Sequence, residues 1–171
     1  MRISVPLENG MLPDRFGKFA PAEYLLDGHP NRSFPIEIQD VPAEAKSLAI
    51  VFVDFDSIPV CGFCWIHWLA CNIPADTTLI PEDASASQSI AMVQGANSDW
   101  SRFAGGSTNK LVYCRYAGPY PPDATHVYTL KAYALDCMLD LEEGYLLNEF
   151  RRAIEGHVLE TARVELPSRA R

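Results

Sequence analysis

Hydrophobic residues along this chain fall in short runs separated by turn-forming residues. "SLAIVFVDFD" (residues 47–56) is rich in Val, Ile and Phe and ends in polar residues, which predicts a buried strand. "CWIHWLACNIP" (64–74) follows after a turn containing Pro59 and Gly62, and "KLVYCRY" (110–116) and "HVYTLKAYALD" (126–136) are two further strand-like runs. The last alternates, with Val127, Thr129, Lys131 and Tyr133 on one face and His126, Tyr128, Leu130 and Ala132 on the other. Only near the end does the period change. In "YLLNEFRRAIEGHVLETA" (145–162), Leu147, Phe150, Ile154 and Val158 recur at spacings of three and four, predicting an amphipathic helix from about Gly144 to Ala162 that Gly156 kinks or divides. Strands first and a helix last predict a mainly β fold, an antiparallel sheet or sandwich with helical additions near the C-terminus.

Composition narrows the function classes. With 171 residues, 48% of them hydrophobic, residues 1–171 fit one domain able to bury its own core without disulfides or metals. Fourteen Lys and Arg against 22 Asp and Glu give a formal charge of -8, and no basic stripe is present, so nucleic acid is not an expected partner. No run reaches the ~18 apolar residues of a membrane span, and "MRISVPLENGMLPDRF" has no apolar run of signal-peptide length. A cytoplasmic protein without a transmembrane segment is the expectation. Five cysteines in such a chain read as reduced thiols.

Three of those cysteines and one of four histidines lie in "CGFCWIHWLAC" (61–71). Structural zinc needs four ligands converging in a tetrahedron, and Cys61, Cys64, His67 and Cys71 supply four candidates. Residues 64–71 read as a continuous strand, however, which turns Cys64 away from His67 and Cys71. No metal is therefore expected there, nor at any other of the five cysteines. A redox role would place the first cysteine at a helix N-terminus, and the Trp, Ile, Trp, Leu run is not such a helix. The cysteines read as small buried hydrophobes. His67 differs, because Asp54 and Asp56 end the preceding strand and the intervening turn would bring a carboxylate beside its imidazole.

The order Asp54-x-Asp56, Trp65-x-His67-Trp68, Gly118-Pro-x-Pro-Pro, His126-x-Tyr128 resembles the phosphatidylethanolamine-binding protein family, also called Raf kinase inhibitor protein-like, and its bacterial and archaeal branch most of all. "NRSFPIEIQDVPAEAKSLAIVF", "WIHWLACNIP", "QGANSDW" and "YAGPYPPDATHVY" extend the resemblance through most of the chain. It implies a large antiparallel sheet against a smaller one, with short C-terminal helices. It also implies a small pocket for an anion, such as phosphate or a phospholipid head group, using Asp54, His67, Gly118, His126 and Tyr128, with Trp65 and Pro119 shaping the rim. Two imidazoles and a phenol would donate to phosphate oxygens, an amide beside Gly118 would add another donor, and Asp54 would orient a histidine. No cofactor is implied, and a homodimer is, since bacterial relatives are often dimers.

The chain departs from the family's pattern at Phe55, where a proline is usual, at Ile58, and in "PPDATH", which lacks a glycine before the histidine. The leading expectation is a non-enzymatic binding protein. A hydrolase would use His67 or His126 as base with Asp54 as orienter, but no G-x-S-x-G elbow supplies a nucleophile, leaving Ser57 and the cysteines. An interaction protein with a vestigial pocket is the third reading, and a pocket filled by Phe55 would favour it. No G-x-G-x-x-G, P-loop or H-E-x-x-H motif occurs.

Overall fold

The computed structural model describes residues 1–171. Ten strands form, β1 (Arg2–Ser4), β2 (Leu25–Leu26), β3 (His29–Pro30), β4 (Ile36–Gln39), β5 (Ser47–Asp54), β6 (Trp65–Pro74), β7 (Leu79–Ile80), β8 (Val93–Gln94), β9 (His126–Leu135) and β10 (Val158–Ser168). Between them lie four short helices, α1 (Ile58–Cys61), α2 (Ala84–Ser87), α3 (Lys110–Tyr113) and α4 (Leu147–Ala153). The large sheet has the order β10-β9-β5-β6-β8 and the smaller β1-β4-β7, all pairings antiparallel, with β2 and β3 as a separate hairpin.

β5 is buried along its whole length because both of its faces are covered. Leu48, Ile50 and Phe52 meet Ile36 and Ile38 of the smaller sheet in one core, while Ala49, Val51 and Val53 join Leu69, Cys71 and Phe150 in a second core under α4. A seven-residue helix cannot persist alone in water. Burying Phe150, which contributes roughly 1.5–3 kcal/mol, is what holds α4 on the sheet.

The predicted helix from Gly144 to Ala162 is only half right. α4 ends at Ala153, Gly156 turns the chain with φ 81°, and residues 158–168 run as a strand beside β9. In β10, Val164 and Leu166 point to the first core between outward-facing Arg163 and Glu165, and this period of two outweighs the chance spacing of Val158. The run "KLVYCRY" is likewise not a strand. Asn109 caps α3 by accepting from the Leu111 amide, and the chain beyond it is irregular.

β6 carries two irregularities against β5. Phe52 faces Trp68 and Val53 faces Ile66, so His67 is an extra residue in the ladder, and a second extra residue falls near Asn72, which adopts φ 57°. Trp65 and His67 consequently share a face with Trp68 and Ala70, whereas Cys64, Leu69 and Cys71 lie in the second core. The expectation that Cys71 would share His67's face fails for this reason.

Candidate functional site

One end of the large sheet closes around a cavity of about 370 Å³. Strand alternation builds it, because Asp54 ends the same face of β5 that carries Phe52, and His126 and Tyr128 begin the same face of β9 that carries Leu130. Asp54 lies directly across from Tyr128 on one side and Trp65 on the other. The bulge adds His67. Of the residues anticipated from the sequence, Asp54, Trp65, His67, Gly118, His126 and Tyr128 line the cavity. Pro119 does not. It is buried against the segment before the β2–β3 hairpin, with its carbonyl oxygen 2.8 Å from where a Gly17 side chain would begin.

The two histidines have opposite electrostatic situations. His126 Nδ1 lies 2.7 Å from Asp54 Oδ2 and its Nε2 lies 3.0 Å from Asp123 Oδ1. Burial lowers its basicity, but the two carboxylates together outweigh that and raise its pKa, favouring imidazolium. His67 donates from Nδ1 to the Ala117 carbonyl at 2.7 Å instead of meeting Asp54, and burial brings its pKa down to about 4. Asp54 therefore orients His126 and not His67. Neutral His67, with Nδ1–H committed, presents Nε2 as an acceptor. Burial and the adjacent Asp54 push the Tyr128 phenol well above its ordinary range, so it is a neutral donor.

The amides near Gly118 are spoken for. Gly118 N–H donates to Pro30 O at 2.7 Å and Ala117 N–H to His67 O at 2.9 Å, so the anticipated free amide is absent at these positions. Glycine is needed at 118 because an added Cβ would sit 2.7 Å from Pro30 Cβ and closer still to the Phe16 carbonyl. Ser57 is a clamp. Its Oγ donates to Asp54 O at 2.7 Å and accepts from Trp65 N–H at 2.9 Å, tying β5, α1 and β6 together. Asp56 caps the start of β9 by accepting from Val127 N–H at 2.8 Å. Phe55 is exposed and is not among the lining residues.

Among the lining residues that escaped the sequence reading, two are ionisable. His29, from β3, and Asp99, from the 3₁₀ turn of residues 98–100, approach within 3.4 Å across the cavity wall. Asp99 is buried, its Oδ2 has no hydrogen-bond partner, and burial raises its pKa. Asp123 was missed as well, though it lies in the loop whose departure from the family pattern was visible.

An antiparallel two-sheet fold with an Asp–His–Tyr cavity at one end of the larger sheet defines the class. Residues 3–168 match the family model described as "Phosphatidylethanolamine-binding protein", and the chain belongs to that family. It is 46% identical over 161 residues to YxkA of Bacillus subtilis, covering 94% of this chain and 95% of that one. It is 36% identical over 146 residues to a UPF0098 protein of Methanothermobacter thermautotrophicus, covering 84% and 86%. The crystal structure of the phosphatidylethanolamine-binding protein homolog CT736 from Chlamydia trachomatis superposes with a TM-score of 0.76 at 29% identity, covering 97% of this chain and 95% of that one. Escherichia coli YbcL, at 22% identity and TM-score 0.76, shares the fold, with coverage of 99% and 98%.

Proposed function

We propose that the cavity binds a small phosphorylated or otherwise anionic group, free or as a phospholipid head group, without chemically converting it. The observation that carries this reading is the pair of carboxylates on His126. Asp54 holds the inner nitrogen from a buried position, while the outer nitrogen is met by Asp123, a side chain 61% exposed that an incoming anion can displace. The Tyr128 hydroxyl is a second donor on the same wall, and His67 Nε2 accepts from a protonated oxygen or amine of the ligand. Asp99 Oδ2, which faces His29 Nδ1 at 3.4 Å without a hydrogen bond, favours ligands that carry a donor some distance from the anionic group. Hydrolysis is disfavoured by the commitment of the Ser57 hydroxyl to backbone partners, which leaves it no histidine base. The exposed position of Phe55 counts against a filled, vestigial pocket.

NMR titration of the histidine ring protons with phosphate, ethyl phosphate and phosphoethanolamine tests this, in wild type and His126→Ala, from about pH 6 to about pH 8. Binding should weaken as pH rises through the raised pKa of His126, and the substitution should weaken it roughly ten- to a hundredfold, the ~1.5–3 kcal/mol of a charge-assisted bond. A response that ignores both pH and the substitution would refute the reading.

A further inference from the structure

At the other end of β9, away from the cavity, Asp136, Cys137 and His157 bring one carboxylate, one thiol and one imidazole together, with ligand atoms all within 4.8 Å of one another. The nine steps of β9, at ~3.3 Å each, put its far end, next to this cluster, roughly 30 Å from His126. Its members are not loosely tethered surface groups. The Asp136 amide donates to the His157 carbonyl at 3.1 Å, Val158 pairs with Leu135 in the next rung, and Ser47 Oγ donates to the Cys137 carbonyl. The backbone thus fixes all three side-chain origins. His157 Nδ1 lies 2.8 Å from Asp136 Oδ1, and the Cys137 thiol reaches the same carboxylate, so imidazole and thiol converge on one side chain.

We infer that Asp136, Cys137 and His157 form a binding site for a single zinc ion. Bonds of ~2.0–2.2 Å to oxygen and nitrogen and ~2.3 Å to sulfur put the corners of a zinc tetrahedron ~3.3–3.8 Å apart, so within the 4.8 Å these atoms span only the 2.8 Å His157–Asp136 contact would have to open, by about 0.5 Å, to admit the ion. Thiolate with imidazole selects zinc over magnesium and calcium, which take oxygen ligands. Cys137 would lose its proton to solvent on binding, and water would complete the fourth position. The ion would link the end of β9 to the start of β10 and so close the segment that carries α4. The cluster is separate from the four candidates of residues 61–71. There, Cys64 and Cys71 lie in the second core while His67 lines the cavity.

The full chain, stripped with a chelator and dialysed, should bind one zinc ion by calorimetry. Cobalt substitution should give the near-ultraviolet charge-transfer band of a thiolate ligand. Cys137→Ser should remove that band, and His157→Ala should weaken zinc at least tenfold, with the thermal midpoint of each zinc-free variant checking that it still folds. Cys61→Ser together with Cys64→Ser should change neither readout. No zinc bound at tens of micromolar would overturn the inference. So would a cobalt–thiolate band that survives Cys137→Ser or vanishes with the Cys61 and Cys64 pair.

Discussion

His67 is a neutral imidazole enclosed by the rings of Phe52, Trp65 and Tyr128, with centroids 5.5, 6.5 and 5.1 Å away. Adding a proton puts a charge where burial resists it, and its pKa falls from the ordinary 6.5 to about 4. In the unfolded chain the ring charges normally. A folded-state pKa below the unfolded one means that the stabilisation is present above pH 6.5 and is lost as pH falls toward 4. Each pKa unit is worth 1.36 kcal/mol, so a fall to about 4 makes this stabilisation on the order of 3 kcal/mol. Replacing His67 by Gln keeps a donor for the Ala117 carbonyl and removes the titration. Urea unfolding followed by tryptophan fluorescence, at about pH 7 and about pH 4 for both proteins, isolates the effect. Carboxylates that also titrate in this range cancel in the comparison, and wild type should lose about 3 kcal/mol more than His67→Gln. Equal losses would refute the account of His67 as a neutral buried ring.

The other histidine should respond oppositely. Asp54→Asn removes the buried anion on His126, so its ring-proton titration should move to lower pH, and the stabilisation that wild type loses as pH rises through the raised His126 pKa should diminish. Gly118→Ala should cost roughly 1–3 kcal/mol through the clash with Pro30 and Phe16, visible as a lower urea midpoint, and an unchanged midpoint would contradict the close approach. Ser57→Ala should destabilise by roughly 1–3 kcal/mol, because Trp65 N–H loses its acceptor, while phosphate binding measured by NMR persists.

Where a segment's periodicity and its burial agreed, the sequence was readable. β5 and β9 announced their existence, and β9 also the face that carries His126 and Tyr128. β10 was hidden because Val158 extended the three-and-four spacing of α4 across Gly156, and only pairing with β9 reveals the period of two that follows. Local sequence also could not reveal that Gly118 N–H meets Pro30, that Asp54 turns to His126, or that His29 and Asp99 face one another. Each of these is a contact between segments remote in sequence. Asp123 lay in a recognisably unusual loop, yet its reach to His126 Nε2 depends on how that loop bends at the start of β9.

The two extra residues of β6 can be viewed as a pair of frame shifts that cancel. Between His67 and Asn72 the strand is read in one phase against β5, and outside that interval in the other. Deleting the extra residue at either point would leave the rungs on both sides paired as they are, so Trp68 and Ala70 would keep the first core and Leu69 and Cys71 the second. The strand therefore has separate punctuation for its ligand end and its core end. Substitutions that reshape the cavity around Trp65 and His67 can accumulate without rewriting the pattern that seats Trp68.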